Sequence, residues 1–400
     1  MDLFTNPDVF RFIDTYTRLQ SLCDTCTLLL TLKKYLIYKL NEKYSLMYYD
    51  DVLFRNRVLN KIFNPYKQLH LDLSDCNKIT DVSALGNVHT LNLRNCYNIT
   101  DVSSLGNVHT LNLSNCYKIT DVSALGNVYD LDLFRCCDIT DVSALGNVHT
   151  LDLTYCDNIT DVSALGNVHK LYLDDCDNII DVSALGNLHT LYIHGCDQIT
   201  DVSALGKIHT LLLMHCDKIT DVSALGKVHH LCLDGCKNVT DVSALGNVHH
   251  LDLSRCDKIT DVSALGKVHR LDLFRCKRIT DVSALGNVHT LDLGSCEITD
   301  VSMLGNVHTL ILCDCENITD VSMLGNVYEL DLSLCKNITD VSALGNVHTL
   351  KLSQCNITDV SMLGNVHTLD LSCCCDITDV SALGNVHTLI LPHHLINTRI

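Results

Sequence analysis

Three side-chain types that do chemistry recur together at a fixed interval. A cysteine stands at Cys76, an aspartate at Asp81 and a histidine at His89, and the trio returns as Cys96, Asp101 and His109. A thiol, an imidazole and a carboxylate are the parts of a cysteine-nucleophile site, and the same groups ligate transition metals. The interval is that of a whole repeated unit, LDLSDCNKITDVSALGNVHT at Leu71 to Thr90, which occurs in sixteen full copies and a fragment from Leu389. A residue that occurs once per unit of a stacked array lies beside its own copies. Rows of like groups run parallel, whereas catalysis and metal binding need groups that converge on one point. The pattern therefore predicts no catalytic residues, no metal site and no cofactor.

Each repeated residue also has a structural task. The apolar positions of the first copy are Leu71, Leu73, Cys76, Ile79, Val82, Leu85 and Val88. Cysteine thus occupies an inward position, where burial raises the thiol pKa and makes a poor nucleophile. Asp81 and Ser83 can accept from backbone N–H groups and start a turn. Gly86 is expected to permit a backbone turn, with Asn87 in the same bend. Histidine fills the nineteenth position in fourteen copies, tyrosine replaces it at Tyr129 and Tyr328, and His70 is taken as the head of the row. Stacked neutral imidazoles need no ligand, but their protonation predicts a weaker array below about pH 6.5.

The apolar spacing is one step of two followed by steps of three. The step of two describes a short strand with Asp72 on its other face, and the threes describe a coil that keeps turning inward. Stacking such units gives a parallel sheet along one side. The run Val88-x-x-Leu91-x-Leu93-x-x-Cys96-x-x-Ile99 resembles the leucine-rich repeat, from residue 69 to 392. CxxITD (Cys76 to Asp81) is similar to the cysteine-containing subtype common in F-box proteins, and ITDVSALGN to the short repeats of bacterial internalins. The resemblance implies an α/β-type solenoid dominated by β: a curved superhelix with a concave parallel sheet and a short 3-10 or irregular convex side. Two copies lack one residue, at Cys296-Glu297-Ile298 and Cys355-Asn356-Ile357, which should tighten a loop without breaking the stack.

Residues 1–69 are not repeated. They read as a small helical cap, with helical regions at 27–46 and 48–63, covering the apolar end that a solenoid exposes. NPDVFRFIDTYTRLQSLCDTC at the start resembles an F-box. That resemblance implies a Skp1-type adaptor as partner, bound through Pro7, Val9, Phe10, Ile13, Leu19 and Leu22. The solenoid spans 70–392, and 393–400 form a tail in which Leu395, Ile396 and Ile400 either fold over the last coil or leave it open.

Charge and cysteine usage narrow the function classes. The leader holds ten Lys/Arg against seven Asp/Glu, so the rest holds 19 basic and 40 acidic residues of the totals of 29 and 47. An acidic array opposes nucleic-acid binding. The 23 cysteines are an odd number, and no basic-then-apolar signal sequence opens the chain. Reduced thiols in a cytoplasmic protein follow from that. No apolar run approaches a membrane span. Near-identical copies resemble repeat proteins of large DNA viruses, which implies host proteins as targets.

Comparison among the copies shows where they diverge: positions 2, 4, 5 and 20, beside the strand, and 7 and 8 after the cysteine. Tyr155, Tyr172, Tyr192, His194, Leu212, Met214 and His215, bordered by Asp174 and Asp175, form one candidate protein-binding group. Arg255, Arg270, Phe274 and Arg275 form a second, basic one suited to an acidic segment. The reading is a non-catalytic protein-binding scaffold, with a ubiquitin-ligase substrate receptor as the alternative.

Overall fold

A computed structural model of the chain describes residues 37–61 and 68–395. These fall into two compact units, one running to Ile159 and including Asn167–His169, the other comprising Thr160–Gly166 and the residues from Lys170 onward. In the first unit Ile37–Lys39 (β1), Gln68–Asp72 (β2), Thr90–Asn92 (β3), Thr110–Asn112 (β4), Asp130–Asp132 (β5) and Thr150–Asp152 (β6) form a parallel sheet in chain order. In the second, twelve parallel strands follow from Lys170–Tyr172 (β7), Thr190–His194 (β8), Thr210–Met214 (β9), His230–Cys232 (β10) and His250–Asp252 (β11) to Thr388–Ile390 (β18). From β2 onward leucine pairs with leucine at every step within a unit, as Leu91 with Leu111 and Leu211 with Leu231.

The remainder of each copy is one 3-10 turn, Ser83–Leu85 in the first. Asp81 sets it: its Oδ1 accepts from the Ser83 N–H at 2.9 Å. The inward positions are sealed, with Leu73 and Leu85 at 0% exposure and Ile79 at 1%. From Cys96 onward the cysteine row is sealed too. Cys96 Sγ donates to the Leu73 carbonyl of the preceding copy at 3.2 Å, and Cys236 Sγ to that of Leu213 at 3.0 Å. Most of these thiols thus satisfy a carbonyl between copies while filling apolar volume. Burial pushes the Cys96 thiol up to about 11 and that of Cys236 to about 12.

The repeated glycine has a different reason from the one its turn suggested. Gly86 has φ −61°, a conformation open to any residue. Its hydrogen faces the next copy, and a Cβ there would lie 2.2 Å from the Ser104 carbonyl oxygen. Close approach, not backbone freedom, excludes a side chain. The two shortened copies keep the stack: Ile298 and Ile357 are buried, and Leu291 and Leu350 pair with Leu310 and Leu369.

The segment before the repeats caps β2, but not as the continuous helix expected over 27–46. Its described part opens with β1, which adds a parallel strand to the edge of β2 and satisfies edge backbone groups that would otherwise stand open. Asn41 then starts Glu42–Asp50 (α1) by accepting from the Tyr44 N–H, and Asp51 starts Val52–Lys61 (α2) by accepting from Leu53 and Phe54. Tyr48, Phe54 and Val58 are buried, and the Ser45 hydroxyl receives the Asp72 N–H at 3.2 Å. At the other end Pro392 is followed by a 3-10 turn, His393–Leu395, whose Leu395 is buried and whose His394 Nε2 lies 3.0 Å from the Ile377 carbonyl oxygen. Ile396 and Ile400 lie outside the described residues.

Candidate interaction surface

Position 2, expected to be a free surface position, is structural wherever it is Asp or Asn. Asp132 Oδ1 accepts from the Phe134 N–H at 2.9 Å and Asp252 Oδ1 from the Ser254 N–H at 2.9 Å, so the side chain turns the backbone out of the sheet two residues on. Four successive copies lack it, with Tyr172, Tyr192, Leu212 and Cys232 instead. In the middle two of these, β8 and β9 run on to five residues and pair through His194 and Met214. The carboxylate version has a cost. Burial, then the neighbouring Asp272, raises the Asp292 pKa to about 6, while the Gly294 N–H and Arg270 work against the rise. Asn92 and Asn112 make the same turn without charge. Asp292→Asn should therefore stabilise the chain at pH 7 by about 1 kcal/mol, a discounted figure because the group is partly exposed. A folded-state pKa above the unfolded value means the penalty grows as pH rises through 6, so the gain should vanish near pH 4. Urea unfolding at both pH values checks this, and equal gains would contradict it.

Position 5 carries a constraint that the divergence among copies hid. It is left-handed in every full copy, with φ 59° at Tyr155, 53° at His215, 59° at Arg255 and 60° at Arg275. Asp, Asn and Gly tolerate that conformation, and Asp75, Asn95, Asn115, Gly195 and Gly235 show the preference. Those residues, read down the column, are the signal that would have exposed it. A bulky residue there costs about 1–2 kcal/mol.

The candidate residues are brought together in two groups. In the first unit Tyr155 meets Phe134 edge-on at 5.6 Å, and the Arg135 guanidinium lies over both rings, at 4.8 Å from Tyr155 and 5.2 Å from Phe134. In the second, Tyr172 and Tyr192 stack at 4.6 Å, with Lys170 Nζ 4.8 Å and 5.2 Å from their centres. Contact with Tyr172 raises the Lys170 pKa. His194 Nδ1 lies 3.5 Å from Asp175 Oδ2 and its ring meets His215 edge-on at 5.4 Å. Gly195 and Gly235 make room: an added Cβ would lie 2.6 Å from Asp175 Oδ1 and 2.4 Å from His215 Nδ1. Leu212, Met214 and Asp174 are half-buried on the same stretch. Phe134, Arg135 and Lys170 were missed because their partners stand one repeat away, as was the exposed pair Tyr97 and Tyr117, stacked at 5.5 Å.

The basic group is smaller than the sequence suggests. Arg255 forms a two-point ion pair with Asp234, at 2.8 Å and 2.7 Å, and this closes its fork. Arg275 lies over Phe274 at 5.1 Å, and Arg270 is exposed. Pro7, Val9, Phe10, Ile13, Leu19 and Leu22 lie outside the described residues.

The histidine row stacks much as a ladder should. His89 and His109 are 4.5 Å apart, and Tyr129 stands between His109 and His149 at 4.7 Å and 4.3 Å. His70 is not its head: it pairs in register with Thr90, one position further on. In most copies Nδ1 contacts the hydroxyl of the following threonine, as His89 with Thr90 at 3.2 Å. Desolvation, then neighbouring imidazoles, lowers the pKa of His89 and His289. A lowered folded-state pKa means the unfolded chain takes up protons first on acidification. Stability should therefore be level above about pH 6.5 and fall below it. Asp292 acts with the opposite sign, so the measurement belongs in Asp292→Asn. An unfolding midpoint flat from about pH 7.5 to 5.5 would contradict the expectation.

Comparisons with known proteins agree on the fold. The family model described as Leucine Rich repeat matches residues 69–86, 247–266, 287–304 and 365–383. No curated protein matches the chain in sequence. Among solved structures, TLR13 in a complex with ssRNA13 is 19% identical, covering 81% of this chain and 60% of that one, with TM-score 0.57. A leucine-rich-repeat protein of Leptospira interrogans is 20% identical, covering 77% and 90%, with TM-score 0.54. An internalin of Listeria monocytogenes is 24% identical, covering 73% and 83%, with TM-score 0.45. The chain has a leucine-rich-repeat fold.

Proposed function

We propose that the chain is a non-catalytic protein-binding module whose partner docks on the strand side of the second unit, around Lys170, Tyr172, Tyr192, Met214 and His215. The observation that carries this is the company these residues keep. Stacked tyrosines replace the turn-setting aspartate in adjacent copies, and next to them a bulky His215 is held in a left-handed conformation that costs stability. Structural tasks favour Asp at the first position and Gly or Asn at the second, so the departures fit selection for contact. Half-exposed aromatic rings beside a cation supply large contact area with little side-chain entropy to lose. The core-row thiols do not suit nucleophilic work, because burial holds them protonated. Proximity labelling in cytoplasm with the full chain and with its Tyr172→Ala, Tyr192→Ala, Met214→Ala variant tests the reading. A labelled set lost in the variant supports it, and an unchanged set contradicts it.

The finer alternative is a substrate-recognition subunit of an SCF-type ubiquitin ligase. It is supported by the F-box-like pattern of the leader, and failure of the full chain to retain a Skp1-type adaptor would overturn it.

A further inference from the structure

The histidine row changes character where it doubles. At two successive copies the threonine that follows the row histidine is itself histidine, giving His229-His230 and His249-His250. Two consequences follow. First, the imidazole loses its usual hydroxyl contact: the Nδ1 of His249 is buried with no hydrogen-bond partner among the described residues. Second, the rings cease to be parallel. His209 and His229 stack at 11°, but His230 is tilted 57° to His229 and 52° to His209, with ring centres 4.5 Å and 5.5 Å away. Parallel rings direct their nitrogen lone pairs side by side, whereas a tilted third ring directs its own across them. The ligating atoms of His209, His229 and His230 all lie within 4.8 Å of one another. His209 Nδ1 contacts the Thr210 hydroxyl at 3.1 Å, which leaves Nε2 for a ligand.

We propose that His209, His229 and His230 form a binding site for one divalent transition-metal ion of the nickel–zinc class. Imidazole suits these ions, and three histidines with an open fourth position are a sufficient set. Nitrogen donors about 2.1 Å from a tetrahedral ion stand about 3.4 Å apart. The exposed rings of His209 and His229 reach that separation by side-chain rotation, without movement of the strands. Elsewhere the row lacks the second histidine column, so the site is local to these copies.

The test uses the full, reduced chain and Ni²⁺ alone, an ion that favours imidazole over buried thiol, followed by calorimetric titration. His230→Thr restores the residue most copies carry and so keeps the fold, as a melting curve will confirm. His308→Tyr, a residue the row accepts at Tyr129 and Tyr328, is the control. The wild type and His308→Tyr should take up one equivalent that His230→Thr binds at least about tenfold more weakly, the loss that even an outer partner causes. Equal binding by His230→Thr and the wild type, or no binding by the wild type, would overturn the site.

Discussion

Gly226→Ala should destabilise the second unit by about 3 kcal/mol, far more than a glycine-to-alanine change on an exposed turn. The residue has φ −63°, so alanine meets no backbone penalty there and would ordinarily stabilise by restricting the unfolded chain. The loss comes from one contact. An added Cβ lies 2.2 Å from the Ala244 carbonyl oxygen and 3.2 Å from its carbon, and the obstacle is the backbone of the next copy, which no rotamer change removes. Copies would have to separate locally, exposing the leucines beneath. Lys227→Asn, next in the chain and identical to most other copies, should be silent. Urea unfolding of the two variants decides it, and a Gly226→Ala midpoint equal to that of Lys227→Asn would contradict the interlocking of copies.

Tyr172→Asn with Tyr192→Asn should weaken the partner complex by at least about 2 kcal/mol, roughly thirtyfold, while leaving the fold intact. Asparagine occupies the equivalent position at Asn92 and Asn112, where its Oδ1 accepts the N–H two residues on at 3.0 Å and 2.9 Å. The double variant thus supplies turn chemistry that these copies lack and removes only the stacked rings and the seat of Lys170. Stability equal to or above the wild type, together with weakened binding, separates a contact role from a packing role. Thermal melting and the dissociation constant, measured on the same preparations, give both readings. Unaltered affinity would move the docking site elsewhere.

The repeat could be read because its inward positions perform one task sixteen times: Leu71, Leu73, Ile79, Val82 and Leu85 spell out a strand and a tight turn, and the structure supplies them. What the sequence concealed lies in relations between copies. Gly86 looked like a bend because glycine usually is one, and only the Ser104 carbonyl across the stack shows its purpose. Divergence at position 5 looked like freedom, although its backbone is left-handed throughout. Arg255 looked available until Asp234, twenty-one residues earlier, appeared opposite it. The strand at Ile37–Lys39 was read as helix because its pairing partner, Gln68–His70, lies some thirty residues further on. The candidate tyrosines were legible as unusual residues in a regular column. Their stacking, and the cation above them, required the repeat register to be realised in space.

The central claim is that the copies act through the strand side where they differ, not through the cysteines, aspartates and histidines they share. The most direct measurement compares two chains reverted toward the repeat. One carries Tyr172→Asn, Tyr192→Asn and His215→Asn on the strand side. The other carries Met303→Ala and Met323→Ala on the 3-10 turns, where the methionines are 59% and 60% exposed and alanine is the usual residue. Quantitative affinity capture should show partners lost from the first chain and retained by the second, with the first chain melting at or above the wild type, because His215→Asn relieves a bulky left-handed residue, and the second melting as the wild type does. Retention by the first chain, or loss from the second, would contradict the account.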